Sequence, residues 1–169
     1  MEVPNAETQI NQDDRKYSRA SKQLGDFGEG LVTYALIRKR YEVAVVDHVG
    51  ADLIAQRGEM RIAVSVKTRM FREDSKESRG MVIEKDHIEK LKVFADRFKL
   101  EPVFANVVSI IDDNKIRLFM LRVADIEKHL LKVKHGYSLQ FSNKQLEQTI
   151  ALPYVDYSEW CNEKIGSNL

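Results

Sequence analysis

The chain has 169 residues, with 27 Lys and Arg against 26 Asp and Glu, 43% hydrophobic residues and a single Cys. That length suits one domain, and the few glycines and prolines exclude collagen-like and low-complexity classes. One Cys excludes an internal disulfide or a cysteine zinc cluster, and no apolar run approaches the roughly 18 residues of a membrane helix. A net charge of +1 excludes coating of nucleic acid by bulk attraction. The polar start MEVPNAETQINQDDRK does not read as a secretory signal, so a soluble cytoplasmic protein is the expectation.

In chain order, residues 1–16 are polar and read as a flexible tail. A helix is predicted from Ser18 or Ser21, with Leu24, Phe27, Leu31, Tyr34 and Ala35 as its apolar stripe and Arg38, Lys39 and Arg40 at its end. Strands are predicted over 42–47, 51–56 and 61–67. In the third, Ile62, Val64 and Val66 face one way, while Arg61, Ala63, Ser65 and Lys67 face the other. Residues 70–80 read as an exposed loop. A helix over about 84–98 should bury Ile88, Leu91, Ala95 and Phe98. Strands at 103–111 and 115–123 flank an Asp-Asp-Asn turn. A short helix at 125–132, a strand at 137–141 and a helix to Ile150 follow. The fold class expected is α/β, a central mixed sheet flanked by helices in one domain over 17–150. Residues 151–169 are expected to be a tail packed on the core.

Charge is uneven along this order. Residues 31–134 hold 21 basic and 16 acidic side chains, whereas both ends are acidic on balance. Solvated surface and a basic working face both account for that pattern.

The hairpin between the second and third strands carries the chemistry. Arg57-Gly58-Glu59-Met60 fits a two-residue turn with Gly in the first central position, as type II′ requires. Arg57 then opposes Met60, Asp52 opposes Ser65, and Gly50 opposes Lys67. Directly opposed residues share a sheet face, so Asp52, Ser65 and Lys67 should cluster. An Asp beside a Lys is either a cross-strand ion pair or part of a metal site. In the second case the carboxylate takes Mg²⁺ while the Lys handles a water or a phosphate.

The segments GDFGEGLVTYAL, GADLIAQRG and IAVSVKTR resemble the PD-(D/E)XK nuclease superfamily, most closely its Holliday junction resolvase and restriction endonuclease-like branches. The resemblance spans roughly residues 20–123. It implies a restriction endonuclease-like core and a Mg²⁺- or Mn²⁺-dependent deoxyribonuclease acting on duplex or branched DNA. It also implies catalytic roles for Glu29, Asp52 and Lys67, and dimerisation, since cutting two strands needs two sites. Two positions depart from the pattern: Ala51 replaces the usual Pro, and Ser65 stands where the superfamily has Glu or Asp. The metal would then be left to Asp52, Glu29 and the Val66 carbonyl. Glu84 is the candidate for a migrated acid, and Glu77 a weaker one. For Glu84 the alternative is an acid that only complements a helix dipole. For Glu29 it is a solvated helix acid, although the neighbouring Gly25, Gly28 and Gly30 suggest close approach of another backbone or a substrate. Arg69, Arg72 and Lys39 are candidate phosphate contacts, with solvated surface as the alternative. Ser65 also raises a competing function: a catalytically inactive nuclease-fold module that binds nucleic acid or a protein partner.

Overall fold

The computed structural model describes residues 6–71, 80–110 and 114–161. It opens with helix α1 (Ala6–Arg38), followed by strands β1 (Glu42–His48), β2 (Ala51–Arg57), β3 (Met60–Phe71) and β4 (Gly80–Glu84). Helix α2 (Lys85–Phe98), strands β5 (Glu101–Ile110) and β6 (Lys115–Arg122), and helix α3 (Val123–His129) come next. Strands β7 (Leu131–Val133) and β8 (Gly136–Gln140), helix α4 (Asn143–Ile150) and strand β9 (Asp156–Cys161) complete the order.

Six strands form the main sheet in the order β1-β2-β3-β5-β6-β9, and β4-β8-β7 form a smaller one. β3 pairs antiparallel with β2 and parallel with β5, so the sheet is mixed. The passage from β3 to β5 crosses through β4 and α2, as a parallel pair demands.

The two faces of β3 explain the layering. Ile62, Val64 and Val66 join Val32, Ala35 and Leu36 of α1 in one buried cluster, with Leu53, Val107 and Leu118 from neighbouring strands. Ala63, on the opposite face, joins Ile88, Leu91, Phe94 and Ala95 of α2, together with Phe104 and Phe119. Met81, Ile83, Leu139 and Phe141 bring the small sheet onto that second cluster. The period-two alternation of a single strand thus assigns each helix its side of the sheet.

Several expectations are corrected. The first helix begins at Ala6, so most of the expected 1–16 tail is helical. Its buried stripe is Gly28, Val32, Ala35 and Leu36, while Phe27 and Tyr34 are about half exposed. The smaller residues let α1 lie close on the sheet and leave the aromatic rings on its flank, where Tyr34 meets Trp160 at 6.4 Å between ring centroids. In α2, Phe94 takes the buried place expected of Phe98. Phe98 is exposed and packs its ring on Phe94 at 4.8 Å. β3 continues through Phe71 into the expected loop, and Gly80 already begins β4. Residues 72–79, which include Arg72 and Glu77, lie outside the described residues. The expected C-terminal tail supplies β9, a strand of the main sheet paired with β6.

Candidate nucleic-acid interface

The hairpin builds the site. Arg57 pairs with Met60 and Leu53 with Val64, the register that the turn residues predict. Gly58 has φ +58°, and Glu59 is not among the positive-φ residues, as a type II′ turn requires. Carried one step beyond Leu53 and Val64, the same register sets Asp52 opposite Ser65. The Asp52 carboxylate accepts a hydrogen bond from the Val66 backbone N–H at 2.6 Å. Asp52 is therefore tied to the strand that carries Lys67, and the hairpin is cross-linked through a side chain as well as through its ladder.

Lys67 is half-buried and faces α2. Its register partner in β5 is Asn106, which shares the same face and is fully buried. His87, in the first turn of α2, stands close enough to Lys67 for the two charges to interact. Burial pushes the His87 imidazole below its ordinary value, the Lys67 charge adds to this, and Glu84 acts in the opposite sense. Glu84 is the N-cap residue of α2, with its carboxylate 3.7 Å from His87 Nδ1. Ser65 is buried. Because β3 continues past Lys67, Arg69 extends the same face and is exposed. The row Ser65, Lys67, Arg69 thus runs from a buried hydroxyl to a solvated guanidinium.

Glu29 is half-buried on α1. The glycine before it explains its position: a Cβ on Gly28 would meet Thr68 Oγ1 at 1.8 Å and Thr68 Cβ at 3.1 Å, whereas Gly25 and Gly30 have nothing within 4 Å. The close approach anticipated for this glycine cluster therefore belongs to Gly28 alone. Gly28→Ala is expected to destabilise the protein by about 1–3 kcal/mol through overpacking against a short, branched side chain whose hydroxyl is buried. Gly25→Ala should instead stabilise it by up to about 1 kcal/mol, because Ala is the better helix former. Urea unfolding of the two variants checks the pair.

These residues do not all come together. Among the described residues no three His, Cys, Asp or Glu side chains gather as a metal-holding group, so Glu29, Asp52 and Glu84 do not converge. Lys39 lies elsewhere, at the hairpin-turn end of the sheet. Its ammonium forms an ion pair with Asp156, and it lines a cavity of about 360 Å³ with Tyr41, Arg57 and Met60. Asp52 is five residues from Arg57 along β2, about 17 Å at the rise of an extended strand. Sequence reasoning missed Asn106 and His87. A lone Asn inside an apolar strand, VFANVVSI, is the signal that could have found the first.

No helix among the described residues is long and apolar enough to cross a membrane. No protein-family model matches the chain, and no curated protein matches it. Among solved structures it is similar to a Holliday junction resolvase from the archaeal hyperthermophile Archaeoglobus fulgidus. The TM-score is 0.50 and the identity 17%, over 69% of this chain and 83% of that one. With the mixed sheet and its flanking helices, that likeness establishes the architecture: the chain has a restriction endonuclease-like α/β fold.

Proposed function

We propose that this protein binds duplex or branched DNA at the sheet face bearing Asp52 and Lys67, as an endonuclease-like protein whose reaction is phosphodiester hydrolysis. One observation carries the reading: the Asp52 carboxylate is held by the Val66 N–H, directly beside Lys67, on a sheet of nuclease type. In this reading Lys67 offers its charge to a phosphate oxygen, and Arg69 follows the backbone one step further out. Asp52 keeps the two strands in register under them. The need for two cuts favours a homodimer as the acting form.

A divalent ion such as Mg²⁺ or Mn²⁺ would supply Lewis-acid chemistry to such a reaction. Among the described residues, no three His, Cys, Asp or Glu side chains gather to hold one. One Asp52 oxygen is already held by an amide, and Glu29, Asp52 and Glu84 do not form one three-carboxylate group. Val66 adds only a backbone carbonyl. The same observation favours a second reading, a nuclease-fold module that binds DNA without cutting it.

A four-way junction, a duplex and a plasmid, each with and without Mg²⁺ or Mn²⁺, test both readings. Lys67→Ala is expected to weaken junction binding about tenfold and to lower the slope of log affinity against log salt by about one. Unchanged binding would sink the assignment of this face. Metal-dependent cutting abolished by Asp52→Ala and by Lys67→Ala identifies the hydrolase. Binding with no cutting by the wild type identifies the silent module.

A further inference from the structure

Asn106 is fully buried, and neither its amide oxygen nor its amide nitrogen has a hydrogen-bond partner among the described residues. Buried amides are costly when unpaired and are almost always satisfied, so one held in the centre of a sheet calls for a use. Its surroundings narrow that use. Its neighbours along the same face of β5, Phe104 and Val108, are apolar, and Phe119 is its register partner in β6. The other neighbour is Lys67, its register partner in β3. Lys67 is therefore the polar group that adjoins the amide across the strand pair, and an ammonium has three donors to give. Lys67 is also the residue whose direction matters most in the reading above, and a four-carbon stem does not fix direction by itself.

We propose that Asn106 is a positioning residue for Lys67: its amide oxygen accepts a hydrogen from the ammonium and steers the remaining donors toward the DNA phosphate beside Asp52. Rotation about the Lys67 side-chain bonds is enough to make this contact, because the two residues are direct neighbours in the ladder. His87, in the first turn of α2, is near enough to Lys67 to feel its charge. The inference rests on the DNA reading of the Asp52–Lys67 face and adds to it the residue that aims the cation.

The test is a double-mutant cycle on junction affinity in the full chain, using Asn106→Leu, Lys67→Ala and the double variant, with salt dependence measured for each. Asn106→Leu is of similar size and apolar, so it suits the buried site. Asn106→Asp, which retains the acceptor, is the second variant. Asn106→Leu is expected to weaken binding by about fivefold to tenfold in the wild-type background and by less than twofold when Lys67 is already Ala. It should also lower the salt slope by close to one although it removes no charge, because the Lys67 contact is lost. Asn106→Asp should restore most of the affinity. An Asn106→Leu effect that is the same in both backgrounds, or an unchanged salt slope, overturns the positioning role while leaving Lys67 as a DNA contact. Junction binding that is insensitive to Lys67→Ala overturns the DNA reading, and the positioning role with it.

Discussion

Glu159→Ala is expected to destabilise the protein by about 3 kcal/mol and to lower its melting temperature by about 6–12 °C, the shift that this loss gives in a domain of this length. Glu159 lies on β9 opposite Arg117 of β6 and accepts from the Arg117 Nε at 2.9 Å and the Tyr157 hydroxyl at 2.7 Å, with Lys115 Nζ at 3.4 Å. The Arg117 side chain is only 4% exposed, so deleting the carboxylate takes a charge-assisted hydrogen bond from a buried guanidinium and a hydrogen bond from the Tyr157 hydroxyl. Burial alone would raise the Glu159 carboxyl, but the bonds from Tyr157 and Arg117 and the Lys115 charge outweigh it and hold the group at about 2, against an ordinary 4.5. Burial, followed by the bond to Glu159, pushes the Tyr157 phenol up. A carboxyl lower in the folded than in the unfolded chain stabilises the fold above its unfolded value and loses that contribution as pH falls through the folded one. Stability should therefore drop between about pH 4.5 and 2. Glu159→Gln should flatten that part of the profile, with unfolding followed by circular dichroism across the range.

This arrangement also shows where sequence reading reaches its limit. The central layers were legible because their signals are local. The β-branched alternation of Ile62, Val64 and Val66, the turn geometry of Gly58 and the apolar spacing of Ile88 and Leu91 each fix an element without reference to the rest. The hairpin register followed from two turn residues, and it placed Asp52 opposite Ser65. β9 was not legible, because DYSEWC has no clean alternation and becomes a strand only when β6 offers it an edge and Arg117 offers Glu159 a partner. The stripe of α1 was misread for a related reason. Helical spacing put Phe27 and Tyr34 on the apolar stripe, whereas close packing on β3 selects the small face around Gly28. At the site, the pairing of Asp52 with the lysine strand could be counted out from the turn. That Glu29, Asp52 and Glu84 do not gather into one group could not, because it depends on how α1 and the start of α2 are carried by separate faces of the sheet. Asn106 escaped because its meaning lies in the missing partner, which only the packed core displays.

Gly50→Ala is expected to cost about 3 kcal/mol or more and to disturb the site as well as the fold. Gly50 joins β1 to β2 with φ +111°, a conformation that side chains rarely adopt. A Cβ there would meet the Lys90 carbonyl oxygen at 2.5 Å, its carbon at 3.0 Å and Phe94 Cβ at 3.3 Å. The obstacle is largely the backbone of α2, which no rotamer change can clear. Relief requires α2 and the start of β2 to separate, and these are the elements that carry His87 and Asp52. The Asp52–Val66 hydrogen bond should therefore weaken, and the Val66 amide should exchange with solvent at least tenfold faster than in the wild type. Gly58 is the control. It also has positive φ, +58°, but nothing lies within 4 Å of its Cβ position, so Gly58→Ala should cost only the left-handed penalty of about 1–2 kcal/mol and leave Val66 exchange near its wild-type rate. Equal effects of the two substitutions on Val66 exchange would mean that backbone conformation, and not the seat of α2 on the β1–β2 turn, governs the position of Asp52.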